Sequence, residues 1–204
     1  MISANEALQR LRDGNARFVL GAQGRPLATR TRREELSEGQ EPFAIILGCS
    51  DSRVPAEFVF DQGMGDLFVI RVAGNIVAAS QIGSAEFAAE RFGTRLIVVL
   101  GHSRCGAVRA TVEELQRPAE NQSPNLRSIV DRVRPSVQPL LETELRHHYD
   151  QLVHQAVRAN VRASADHLRH GSQVLERLIE ERGLRVVGAE YSLETGEVDF
   201  FDGV

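Results

Sequence analysis

The sequence contains no lysine. All 24 of its basic residues are arginine, so neither Schiff-base catalysis nor the lysine of a phosphate-binding loop is open to it. Tryptophan is also absent, and 204 residues hold only two tyrosines and two cysteines. Two cysteines do not make a disulfide framework; they favour a reduced, cytoplasmic setting. The start, MISANEALQR, lacks the basic, apolar and small-residue progression of a signal peptide. No apolar run approaches the roughly 20 residues of a membrane span. The net charge is −4, with no basic block or aromatic–basic stripe, which argues against nucleic acid as a partner. The expectation is one globular domain over 1–204, cytoplasmic, with no nucleic-acid or membrane partner.

What is present is an alternation of helical and strand-like segments. Ser3 and Glu6 form a capping box. Leu8, Leu11, Asn15 and Phe18 follow at helical spacing. Residues 21–42 are arginine-rich with little to bury, and read as an arm across a partner subunit; 1–42 is thus a helix plus arm. Apolar runs at 44–49, 67–72 and 95–102 are strand-like. The last is continuous and β-branched, as a parallel strand buried on both faces should be. Residues 184–193 and 197–201 read as a closing hairpin around Thr195-Gly196. The segment 84–92 is helical. So is 123–182, with breaks near Pro135, Pro139 and Gly171, an N-cap at Ser172 and a stop at Gly183. The pattern predicts an α/β fold with a mostly parallel sheet.

Both cysteines fall beside strand ends. Cys49 follows AIILG, and His102-Ser-Arg-Cys105 closes RLIVVLG. Ligands gather at the carboxyl ends of strands in open parallel sheets, and adjacent strands would join Cys49 to His102. Two thiolates and an imidazole suit tetrahedral zinc, and three protein ligands with one open position mark a catalytic site. Asp51 is the nearby candidate for the fourth position, and Arg53 is placed to hold it away in a bidentate pair. On the residues alone, two buried structural thiols and an ordinary loop salt bridge remain alternatives.

CSDSRV (49–54) together with GHSRCGAV (101–108) resembles the β-class carbonic anhydrases. The similarity continues through 60–75, 83–102 and 186–198, and spans roughly residues 3–202. The resemblance implies a four-stranded parallel sheet with an added edge strand, flanked by helices, with an N-terminal helical arm. It implies a homodimer or dimer of dimers. Cys49, His102 and Cys105 would hold Zn2+, with Asp51 as fourth ligand in a closed state. Asp51 and Arg53 would be the catalytic dyad in the hydration of CO2 to bicarbonate, zinc hydroxide being the nucleophile. Gln40 would reach in from the neighbouring subunit, Phe68 and Phe87 would wall the CO2 pocket, and Gly101 and Gly106 would keep side chains off the metal. Activity is expected to fall at low pH.

Two departures from the family pattern stand out. Phe87 replaces a tyrosine carried by many members, so a hydroxyl is lost. Ile46 replaces the tryptophan of a second bicarbonate site for which Arg71 and Tyr191 match. His147, His148, His154, His167 and His170 lie on helical segments whose polar faces account for them. Rival readings are hydrolysis of carbonyl sulfide or carbon disulfide on the same scaffold, and a zinc or bicarbonate sensor without turnover. A dinucleotide-binding fold lacks its glycine fingerprint.

Overall fold

The computed structural model describes residues 2–23, 28–117 and 123–204. Five strands form one sheet in the order β2-β1-β3-β4-β5. These are β1 (Ala44–Gly48), β2 (Leu67–Arg71), β3 (Leu96–His102), β4 (Arg185–Tyr191) and β5 (Val198–Asp202). The first four in that order are parallel, and β5 returns antiparallel to β4 with a register shift at Gly188/Ala189. This is the expected four-plus-edge sheet.

Every residue of β1 and β3 is buried, so both faces of the sheet carry a core. On one face Ile46, Val98, Leu100, Val187 and Ala189 pack with helix α1 (Ala4–Val19) and the short helix α3 (Ala56–Val59). On the other, Ile45, Leu47, Ile97, Val99 and Val186 pack with α4 (Ala79–Arg91), α7 (Tyr149–His170) and α8 (Gln173–Arg182). Helices α5 (Gly106–Gln116) and α6 (Pro124–Leu141) join α7 in a third cluster that contains both cysteines.

The capping box forms: Ser3 N donates to Glu6 Oε2 at 2.9 Å, and Glu6 N donates to Ser3 Oγ at 3.3 Å. It starts a helix whose Ala7 and Leu11 are fully buried against the chain's own sheet. Gly14 lets α1 lie down, since a Cβ there would sit 1.8 Å from Phe60 O. Asn15 then ties α1 to the hairpin by donating to Gly196 O at 2.8 Å and accepting from Val198 N at 2.9 Å. The first helix is therefore core. In the segment expected to form an arm, α2 (Arg30–Glu35) buries no residue, and residues 24–27 lie outside the described ones.

The expected break at Pro135 and Pro139 does not occur, because α6 runs through both. Val130, Val133 and Val137 lie at spacings of three and four and are buried. Their packing outweighs the backbone hydrogen bonds that proline forfeits. Helix α4 begins at Ala79, five residues before the sequence pattern becomes helical. Ser172 caps α8 through Leu175 N, and Gly183 ends it in left-handed backbone, both as expected.

Candidate metal centre

Strand register explains how distant residues meet. Gly48, the last residue of β1, pairs with Leu100 of β3. Cys49 leaves its strand there, while β3 continues to His102. Cys105 is the N-cap of α5. The Sγ atoms of Cys49 and Cys105 are 4.0 Å apart, and the three potential ligand atoms all lie within 4.8 Å of one another. His102 is fully buried, and Cys49 and Cys105 are only 5% and 1% exposed. Neither cysteine is in a disulfide.

The protonation pattern suits a cation. His102 Nδ1 lies 2.9 Å from Ser103 O, a contact that requires the proton on Nδ1 and leaves the Nε2 lone pair free. That Nε2 is buried without a hydrogen-bond partner, a costly state for a polar atom. The thiols share a proton: hydrogen bonding from Cys105 first, with Gly74 N adding to it against the cost of burial, pulls Cys49 well below the ordinary thiol range. That hydrogen bond to Cys49, then burial and the Cys49 charge, push Cys105 up. A dication would let both ionise. Zinc–sulfur bonds of about 2.3 Å at tetrahedral angles place two sulfurs about 3.8 Å apart, close to the observed 4.0 Å. The residues fit zinc.

Asp51 faces this cluster, its Oδ2 3.9 Å from His102 Nε2. Arg53 holds it in a two-pronged grip, Nε to Oδ1 at 2.9 Å and Nη2 to Oδ2 at 2.7 Å. The Arg53 backbone N–H adds a third bond at 3.0 Å. These bonds, chiefly those from the guanidinium, hold the Asp51 carboxyl well below the usual carboxylate range.

Supporting contacts surround the ligands. Arg71, at the end of β2, donates to Cys49 O at 3.0 Å and to Asp51 O at 2.6 Å, pinning the loop that bears both. Gly74 N donates to Cys49 Sγ at 3.4 Å. The turn carrying Gly74 is fixed by α7, whose Asn160 and Ser164 donate to Gly74 O and Asn75 O at 2.7 and 3.0 Å. Sequence reading assigned Arg71 only to a second bicarbonate site. Its readable signal was a lone arginine closing an apolar strand beside β1. Ile46 is fully buried in the core.

A chain whose residues 44–198 match the carbonic anhydrase family profile carries this geometry on three-quarters of its length. It belongs to the β-class carbonic anhydrases. It is 38% identical over 208 aligned residues to carbonic anhydrase 2 of Mycobacterium tuberculosis, covering 97% of this chain and 93% of that protein. It is 48% identical over 131 residues to a carbonic anhydrase of Mycolicibacterium smegmatis, covering 64% of this chain and 63% of that protein. The β-carbonic anhydrase CafA of Aspergillus fumigatus superposes with a TM-score of 0.76 at 24% identity, over 98% of this chain and 91% of that one. Membership makes the chain an enzyme of the carbonic anhydrase class.

The remaining residues expected from the β-carbonic anhydrase pattern do not gather at the cluster within one chain. Gln40 is exposed and precedes β1, at the opposite end of the strand from Cys49. Phe68 pairs with Ile45, four residues before Cys49 and so about 13 Å back along the strand. Phe87 stands with Phe68 and Phe92 in an aromatic group, ring centroids 6.3 and 5.6 Å from it, and is 55% exposed. The two glycines beside the ligands differ in their surroundings within the chain. A Cβ at Gly106 would meet nothing in the chain within 4 Å, and one at Gly101 would strike Val161 Cγ2 at 2.5 Å. The tightness at Gly101 is against α7, because Val161 lies directly over β3 there. A cavity of about 660 Å³ opens between α7 and the β4–β5 hairpin, with Ser103 and Arg104 in its wall but none of the three ligands.

Proposed function

We propose that this chain catalyses the reversible hydration of carbon dioxide to bicarbonate and a proton, at a zinc ion held by Cys49, His102 and Cys105. The observation that carries the reading is the buried, unpartnered His102 Nε2 facing two thiols, with the Asp51–Arg53 pair beside it. Bound zinc would supply Lewis acidity, lowering the pKa of a water so that it can act as nucleophile near neutral pH.

The chain's own residues do the rest. Ser103 O fixes the His102 tautomer and ring orientation. Arg53 keeps Asp51 ionised and occupies both of its oxygens from one side. Asp51 then accepts a hydrogen bond from the reacting water and aims that water's free lone pair at the carbon. Its engagement with Arg53 also keeps it from serving as a fourth ligand. Arg71 and Gly74 hold the loop still while this happens.

Gln40, Phe68 and Phe87 would serve the site of a partner copy, in a homodimer or dimer of dimers. Their distance from the chain's own cluster and the exposure of Phe87 support this. Free thiols at the centre fit a reducing, cytoplasmic setting. Among the described residues no helix is long and apolar enough to cross a membrane.

Stopped-flow CO2 hydration by zinc-loaded protein between pH 6.5 and 9, beside carbonyl sulfide hydrolysis, tests the assignment. The expected result is CO2 turnover that rises with pH and disappears on replacing Cys105 by Ser. Turnover of carbonyl sulfide alone, or none of either with zinc bound, overturns it.

A further inference from the structure

Two of the three ligands sit at the ends of one four-residue span, and one carboxylate grips both residues between them. Between His102 and Cys105 the chain passes through Arg104 at φ 57°, a left-handed conformation that few non-glycine residues adopt. Ser103 N donates to Tyr191 O at 2.9 Å, and Leu193 N donates to Ser103 Oγ at 3.0 Å. Ser103 Oγ in turn donates to Glu194 Oε2 at 2.8 Å. Arg104 Nε pairs with the other oxygen, Glu194 Oε1, at 2.7 Å. Each oxygen of Glu194 thus grips one of the two residues between the ligands. Ser103 O is also the partner of His102 Nδ1, so a shift of Ser103 would turn the imidazole.

The hairpin turn does not need this carboxylate for its own shape. Ser192 N bonds Glu197 O and Gly196 N bonds Ser192 O, both at 2.9 Å. Thr195 N and Glu197 N are taken by the hydroxyls of Ser192 and Thr195. Within the turn the Glu194 carboxylate contacts Ser192 Oγ at 3.4 Å and its own backbone N–H. Nor is its ion pair a large source of stability, since the side chains of Arg104 and Glu194 are 69% and 45% exposed and such pairs are screened.

We infer that Glu194 is a positioning residue for the metal centre, setting the placement of His102 and Cys105 through Ser103 and Arg104. The inference rests on the zinc reading above. The test measures zinc transfer to a chromophoric chelator and the visible spectrum of the cobalt(II)-substituted protein, neither of which is a readout of activity. Glu194→Ala should release zinc at least about tenfold faster, the scale of effect seen for groups behind metal ligands. It should shift the cobalt bands and move Tm by no more than about 2–4 °C. Glu194→Gln, which keeps an acceptor for Ser103 but loses the charge for Arg104, should fall between Ala and wild type. Glu197→Ala, elsewhere in the same turn, should behave as wild type.

Wild-type release rates and cobalt spectra in both Glu194 variants would overturn the inference. So would equal acceleration in Glu197→Ala, which would assign the effect to a loosened hairpin. If Glu194→Ala does not fold, Glu194→Gln decides alone, and an unchanged release rate there overturns the inference. A wild-type protein that takes up neither zinc nor cobalt would instead overturn the zinc reading on which it rests.

Discussion

At the scale of single residues, Asp51 depends on its neighbour. Arg53 occupies both carboxylate oxygens, so Arg53→Met should free Asp51 to rotate and to approach the ligands. The expected outcome is a fall in kcat of about 10²-fold, within the range for a misplaced acid–base group, with zinc content unchanged by metal analysis. Glu190 behaves oppositely to Asp51. Burial, the leading cause, raises its pKa, against the opposing effects of His154 and Arg158. A raised folded-state pKa means stability that is full below the ordinary glutamate value of about 4.3 and is lost as pH rises towards the folded value. The stability of wild type relative to Glu190→Gln should therefore decline with rising pH, as measured by urea unfolding at pH 5 and pH 8. Cys49, Asp51, Arg53, His102 and Cys105 could be singled out because side-chain type and strand-end placement marked them as candidates, and the family resemblance gave them roles. Arg71 and Gly74 were not, because they act through a backbone carbonyl and a backbone N–H that only strand register brings into range.

At the scale of elements, α1 illustrates what pattern alone conveys. Its capping box and apolar spacing were readable, and both stand in the structure. Which surface the helix covers was not, since an amphipathic face does not name its partner. Leu11→Ala should cost about 2–5 kcal/mol, as for other fully buried leucines. Gly14→Ala should also destabilise, because a Cβ there collides with a backbone oxygen that cannot move away cheaply. Urea denaturation of both variants checks this, and near-wild-type stability in either would mean that α1 does not rest on this sheet. Helix α6 teaches the reverse lesson. Two prolines read as breaks, yet three buried valines on one face keep the segment helical.

At the scale of the whole molecule, one chain brings three potential metal ligands together, while Gln40, Phe68 and Phe87 stand apart from them. A mostly parallel sheet with ligands at its strand ends was readable from alternation and hydrophobicity; the order β2-β1-β3-β4-β5 was not. In the proposed function the rest of the pocket comes from a partner copy, which intrachain patterns do not encode. Phe87→Arg should break the proposed subunit contact: light scattering should report a smaller particle, and kcat/KM should fall at least about tenfold as the apolar wall is lost. A particle of unchanged mass with full activity would place Phe87 outside the interface.

The 4.0 Å between the two sulfurs has a practical side. Two thiols this near each other, in a pocket that favours one as thiolate, are poised for oxidation once nothing lies between them. Resident metal would then act as a chemical guard as well as a cofactor. Protein stripped of it in air would drift to a cross-linked form that fresh zinc does not revive until a reductant is added.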